Sequence, residues 1–316
     1  MLTKNVVTTI DAHVAGEPIR LLNDSGVARR KETMEEYQKA FNEQQQKQIL
    51  KRIMEEPRGH LDMRTCIVTP PVSLKGDAGV LFKDTTGYVP LLEHGLIGVA
   101  TILYETGNFQ KEQIHFDCLD GQYVLKVCFD EANEEVNQFE LEQQVRILHK
   151  HLQIETLKID VIGTRQRISA LCNVEDIDLD ITIADLNALK EKAHQLFLDV
   201  SQRDNIEEQI SHLLFYNKDE NGHYKYLTID RNNHIDRSPY TGAWAFAAFL
   251  YENTHAETVQ LTNFLDHSIT AKIRELTTEN NHSVFNVSVE GKGYITGFHR
   301  FVVDRDDPLK DGFLLK

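Results

Sequence analysis

Two apolar runs, residues 96–104 and 243–251, stand out from a chain that is otherwise patterned in short alternating segments. Each is apolar all round, which predicts a buried helix rather than a half-exposed one. Gly107 closes the first as a C-terminal cap. The first run opens on Leu91-Leu92-Glu93-His94-Gly95, the second on Asp236-Arg237-Ser238-Pro239-Tyr240-Thr241-Gly242. The first amides of a helix lack intrahelical partners, and the macrodipole adds positive potential there. Such a start is either simply capped or suited to a carboxylate or phosphate. The runs also echo each other: Ala100-Thr101-Ile102-Leu103-Tyr104-Glu105 reads much like Ala247-Ala248-Phe249-Leu250-Tyr251-Glu252. In that register Gly95 pairs with Gly242 and Glu93 with Tyr240, which suggests two halves of similar design.

Around these runs the pattern is mostly strand-like. Residues 6–10, 65–69 and 78–82 read as strands, and 113–129 as strands broken at Asp120-Gly121. In the second half, residues 158–162, 167–170, 224–229, 257–262, 268–274, 283–290 and 293–303 read the same way. Asn221-Gly222 marks a hairpin turn. Residues 33–55 carry spaced apolar positions among charges and glutamines, predicting one exposed amphipathic helix, and 183–197 has helical spacing. Residues 131–143 are acidic and read as a solvated connector. Asp11, His13, Glu17 and Arg20 cluster around Gly16 and Pro18 and read as a loop at a strand end. His60 reads as a hydrogen-bonding support. Many strands with few helices, in two similar halves, give an α+β chain.

Composition narrows the class. At 316 residues the chain is comfortable for two domains, and 41% apolar with 26% charged residues is usual for a globular protein. A net charge of −15 argues against nucleic acid and anionic membrane as partners, though a local anion site remains open. No stretch approaches the roughly 20 apolar residues of a membrane span. Cys66, Cys118, Cys128 and Cys172 are scattered, without a CxxC pair, and read as reduced packing residues. With no apolar leader at the N-terminus, a cytoplasmic location is expected.

Taken together, several motifs in order resemble the proline racemase family, which includes hydroxyproline epimerases and trans-3-hydroxyproline dehydratases. They are Asp11-x-His13-x-x-Gly16-Glu17-Pro18-x-Arg20, Glu56-Pro57-Arg58-Gly59-His60-x-Asp62-Met63, and Gly79-Val80-Leu81-Phe82 with Gly87-Tyr88. His94-Gly95, Ile235-Asp236-Arg237-Ser238-Pro239 and Asp307-Pro308 with Gly312-Phe313 complete the series. The resemblance implies two pseudo-symmetric α/β halves of the proline racemase and diaminopimelate epimerase type, with a central helix in each and an interdomain cleft. The expected division is 1–130 with about 292–316, and 131–291. It further implies cofactor-independent chemistry, no metal, a small amino or imino acid as ligand, and leaves a homodimer open.

In the family, one thiol of a pair takes the α-proton and the other returns it, a thiolate at a helix start being a competent base. The resemblance places Leu92 and Tyr240 where those cysteines belong, so the two-thiol reaction is expected to be lost. The dehydratases keep the first cysteine, and that reading fails at Leu92 as well. What remains is a binding half. His94 and Asp236 stand where the family grips the amine, and the amides of Glu93, His94, Thr241 and Gly242 are placed for a carboxylate. Asp11, His13, Glu17, Arg58, His60 and Asp62 are expected to brace rather than react. The alternative is an isomerase or lyase using Glu93 and Tyr240 as replacement acid and base. Ionising a phenol of pKa about 10 at neutral pH costs roughly 4 kcal/mol, which weighs against it. Arg165 and Arg167 read as solvent-facing strand residues.

Overall fold

The computed structural model describes residues 5–22, 30–130, 135–154, 156–165, 167–201, 209–219, 222–279 and 282–315. The expected turn at Asn221 and the start of the acidic segment at 131–134 lie outside them. The chain runs β1 (Asn5–Val14), β2 (Glu17–Leu22), α1 (Met34–Phe41), α2 (Gln44–Met54), β3 (Arg64–Thr69), β4 (Ala78–Lys83), β5 (Tyr88–Val89) and α3 (Glu93–Glu105). It continues through β6 (Gln113–Cys118), β7 (Gly121–Asp130), β8 (Glu135–Ile154), β9 (Leu157–Gly163), β10 (Ile168–Asn173), a 3-10 turn at Val174–Ile177 and α4 (Leu186–Ser201). Then come β11 (His212–Lys218), β12 (Tyr224–Asp230), β13 (Ile235–Asp236), α5 (Tyr240–Thr254), β14 (Thr258–Asn263), β15 (Ser268–Glu279), β16 (His282–Gly291) and β17 (Tyr294–Val303). Two compact units result: Met1–Phe139 with Gly291–Lys316, and Glu140–Glu290.

In the first unit β17 pairs antiparallel with β1, β1 with β2, and β2 lies parallel to β3. Next, β3 and β4 are antiparallel, β4 and β6 parallel, and β6 and β7 antiparallel, with short β5 on the other end of β4. The second unit repeats the scheme. There β8–β9 and β9–β10 are antiparallel, β10–β11 parallel, β11–β12 antiparallel, β12–β14 parallel and β14–β15 antiparallel, with short β13 on β12. The similarity read from a short helical echo therefore extends to the order and direction of the strands.

Side-chain alternation explains why each sheet takes helices on both faces. In the first unit Leu22, Ile67 and Leu81 join Met34, Tyr37, Phe41, Leu50 and Ile53 of α1 and α2 in one core. Phe82, one residue on from Leu81 and hence on the opposite face, packs instead beside Gly95 of α3. In the second unit Leu213, Phe215, Leu227 and Ile229 form a core with Leu189, Ala193, Leu196 and Phe197 of α4. The intervening Leu214, Tyr226 and Thr228 meet α5 at Gly242.

Four local expectations are corrected. The segment 33–55 is two helices, parted at Asn42–Glu43, and its apolar face is buried rather than exposed. The solvated connector is strand β8, whose Phe139, Leu141, Gln143, Val145 and Ile147 alternate inward. Asp11 to Val14 belong to β1, and the turn is only Ala15-Gly16, both at positive φ (49° and 90°). Arg167 is buried against His212, its Nη1 2.8 Å from the imidazole Nε2.

Glycine is required where α5 meets its sheet. A Cβ on Gly242 would lie 2.6 Å from Leu214 Cδ1 and 2.7 Å from Thr228 Oγ1. Gly242→Ala should therefore destabilise by about 1–3 kcal/mol from overpacking, minus the ~1 kcal/mol that alanine gains in a helix. Thermal unfolding checks this. The control is Gly87→Ala, where a Cβ meets nothing within 4 Å; it should leave the midpoint unchanged.

Candidate functional site

The start of α5 is held by a compact polar clamp. Asp236, paired through its backbone with Thr228, accepts the Ser238 amide (2.8 Å) and hydroxyl (2.9 Å) on Oδ1 and the Thr241 hydroxyl on Oδ2. Ser238 Oγ in turn accepts the Tyr240 amide at 3.4 Å. Pro239, the N-cap, has no side-chain cap of its own, and its carbonyl accepts the Tyr226 hydroxyl. Asn263 Nδ2 donates to the Arg237 carbonyl, while its Oδ1 accepts the Leu265 and His267 amides (3.0 and 2.9 Å). Burial, with the nearby Asp236 and Tyr240, pushes the Tyr226 phenol well above its ordinary pKa, so it stays a donor. Tyr240 is 3% exposed, and its hydroxyl donates to the Glu290 carbonyl at 3.2 Å.

The start of α3 is built differently. Asp84 Oδ1 accepts the Thr86 amide and hydroxyl (2.7 and 2.6 Å) and the Gly87 amide (2.8 Å). Its Oδ2 lies 3.1 Å from Arg64 Nη1, and Arg64 Nε is 3.7 Å from Glu17. This chain of buried charges joins β2, β3 and the turn into β5. Leu92 is the N-cap, without a side-chain cap, and Leu91, Leu92, Glu93 and His94 are all buried.

Glu93, at 1% exposure, has company that the sequence did not point to. The Tyr123 hydroxyl donates to Asp120 Oδ2 at 2.6 Å. Burial chiefly, then the bond to Asp120 and the charges of Asp120 and Glu93, push that phenol far above its usual range. Glu93 thus stands near an acid–phenol pair at the β6–β7 turn. The only sequence signal was the three-residue spacing of Asp120 and Tyr123 across Asp120-Gly121, read as a turn and nothing more.

The remaining motif residues tie the first unit together. Arg20 grips Asp11 bidentately (2.9 and 2.6 Å) and donates to the Ile53 and Arg58 carbonyls, with its guanidinium 4.6 Å from the Phe301 ring centre. Arg58 lies 3.3 Å from Asp307, and His13 stacks on Tyr294 at 5.5 Å. His60 is exposed. None of the four thiols is at either helix start: Cys66 is in β3, Cys118 in β6, Cys128 in β7 and Cys172 in β10. Burial pushes Cys172 up to about 12, and Cys66 and Cys118 are raised as well, which leaves these three as thiols. Among the described residues no group of three or more His, Cys, Asp or Glu could hold a metal ion. No helix among them is long and apolar enough to cross a membrane.

The proline racemase family model matches residues 9–314. The chain belongs to that family. A trans-3-hydroxy-L-proline dehydratase of Bacillus thuringiensis is 30% identical over the full length of both chains. A proline racemase of Acetoanaerobium sticklandii is 28% identical, covering 97% of this chain and 98% of its own. The fold is that of a hydroxyproline epimerase from Agrobacterium vitis, crystallised with bound trans-4-hydroxy-L-proline. That structure has a TM-score of 0.80 at 20% identity and covers 100% of this chain and 96% of its own.

Within this member of the family the two central helices begin in the same register. Glu93 and Tyr240 are the first residues of α3 and α5, and Gly95 and Gly242 the third. Leu92 sits one residue earlier, at the N-cap. His94 and Thr241 are both second, and both are buried.

The clamp at Asp236 sets a measurable expectation. Asp236→Ala leaves the Ser238 and Thr241 donors without their acceptor, and should lower the unfolding free energy by about 1–3 kcal/mol. Urea denaturation should show a lower midpoint at unchanged slope. A midpoint equal to that of the native protein would mean that the clamp does not hold the helix start.

Proposed function

We propose that this chain is a proline racemase-like protein that binds an amino or imino acid at the starts of α3 and α5, without the family's two-thiol racemisation. One observation carries the reading: Leu92 and Tyr240 occupy the positions that the resemblance assigns to the reactive cysteines, while the four thiols of the chain lie elsewhere in strands. Leucine has no ionisable proton. Tyr240 donates its hydroxyl to a backbone carbonyl, an arrangement that favours the neutral phenol over a phenolate base.

The binding half has physical support. Neither N-cap supplies a side-chain hydrogen bond. Helix-start amides and the macrodipole favour a carboxylate. In this reading the amides of Thr241 and Gly242 take the carboxylate, and His94 and Asp236 hold the amine. Asp236 is held in place for it by the Ser238 and Thr241 donors. The family's named relatives, a proline racemase and a hydroxyproline dehydratase, make a five-membered imino acid the first ligand to try.

Isothermal titration with L-proline, trans-4-hydroxy-L-proline and trans-3-hydroxy-L-proline tests the reading. It predicts saturable binding of at least one, weakened roughly tenfold or more in His94→Ala through loss of a charge-assisted hydrogen bond. No saturable binding by any of the three contradicts it.

A further inference from the structure

A concave site lies at the C-terminal end of α5, in a pocket of about 190 Å³. Its floor is apolar, from Ile147, Ile162 and Phe249, and its polar wall comes from Lys150, His151, Asp160, Glu252 and Asn253. All of these belong to the second unit.

Strand β8 is irregular beside this pocket. The β8–β9 register shifts between Ile147 and His149 and again between His149 and Leu152. His151 takes up the distortion in the left-handed region, at φ 51°, which is uncommon for a residue with a side chain. Bulges of this kind re-aim side chains and cluster at working sites. Here the bulge is pinned by the His151 amide, which donates to Asp160 Oδ1 at 3.1 Å, while the His151 ring nitrogen stays 3.9 Å away.

The charge balance selects the ligand. Asp160 and Glu252 are acidic, Lys150 pairs with Glu252, and the largely exposed His151 ring stays 3.9 Å from Asp160. The Asp160 side chain is only 13% exposed, and burial holds its carboxyl above the ordinary range despite the pull of His151 and Lys150. A further positive charge beside it would satisfy the carboxylate, and the α5 C-terminus adds negative potential. The volume is below the 300–1,000 Å³ of pockets for drug-sized ligands, so a ligand of a few heavy atoms is indicated.

We propose that this pocket binds a small aliphatic ammonium ion, its hydrocarbon body on Ile147, Ile162 and Phe249 and its ammonium donating to Asp160. This goes beyond the helix-start reading and does not rest on it.

The test uses the full chain and n-butylammonium chloride, with sodium butyrate at equal ionic strength as the probe of opposite charge. Thermal unfolding should rise saturably with n-butylammonium and not with butyrate. Affinity should fall roughly tenfold or more in Asp160→Asn, which retains an acceptor for the His151 amide, and should also fall in Glu252→Gln, a partly exposed change. His94→Ala should leave it unchanged, separating this pocket from the helix starts. The proposal is overturned by no saturable response, by an equal response to butyrate, by unchanged affinity in both Asp160→Asn and Glu252→Gln, or by loss in His94→Ala.

Discussion

Each central helix lies so close to its sheet that the third residue has no room for a side chain. At Gly95 a Cβ would come 2.9 Å from Phe82, and at Gly242 it would come 2.6 Å from Leu214. Protein interiors are packed to crystal-like density, so such an approach fixes the helix in position and leaves little slack at its first turn. The residues just before and within that turn are consequently buried: Leu92, Glu93 and His94 in α3, and Tyr240 and Thr241 in α5. Whatever chemistry a helix start in this fold performs is set by side chains that have almost no freedom to move. Exchanging a residue at such a position changes the chemistry outright.

The two starts meet this constraint with different polar groups. At α5 a single carboxylate, Asp236, gathers Ser238 and Thr241, so the turn is held locally. Ahead of α3 the acid is Asp84, which closes the turn into β5 and is held by Arg64 and through it Glu17. Buried charges are costly unless they are paired, and here Asp84 pairs with Arg64 while Asp236 accepts hydroxyl and amide donors from its own turn. The halves thus share strand order and glycine register without sharing their electrostatics. That asymmetry fits a chain in which one repeated design has been adapted differently at its two ends.

Much of this was legible in the residues. The runs at 96–104 and 243–251 are apolar on all sides, and they lie within α3 and α5, both covered all round. The pairing of Gly95 with Gly242 could be read because a repeat of six similar residues follows each. Other features were hidden for identifiable reasons. Strand β8 presents acids and glutamines on its outer positions, and that composition masked the inward alternation from Phe139 to Ile147. The break at Asn42–Glu43 interrupts a helical pattern that runs on in phase, so periodicity could not show it. Arg167 looked solvent-facing because its partner, His212, is far along the chain. For the same reason Tyr123 could not be linked to Glu93, whose charge reaches it only through the tertiary fold.

The central claim is that a family scaffold persists here after its proton-transfer groups have been replaced by a hydrocarbon and a hydrogen-bonded phenol. The most direct measurement is the α-proton itself, followed by NMR for L-proline and trans-4-hydroxy-L-proline incubated with the purified protein in deuterated water. The account predicts no exchange above the rate in buffer alone. Exchange that scales with protein concentration, for either compound, would contradict it.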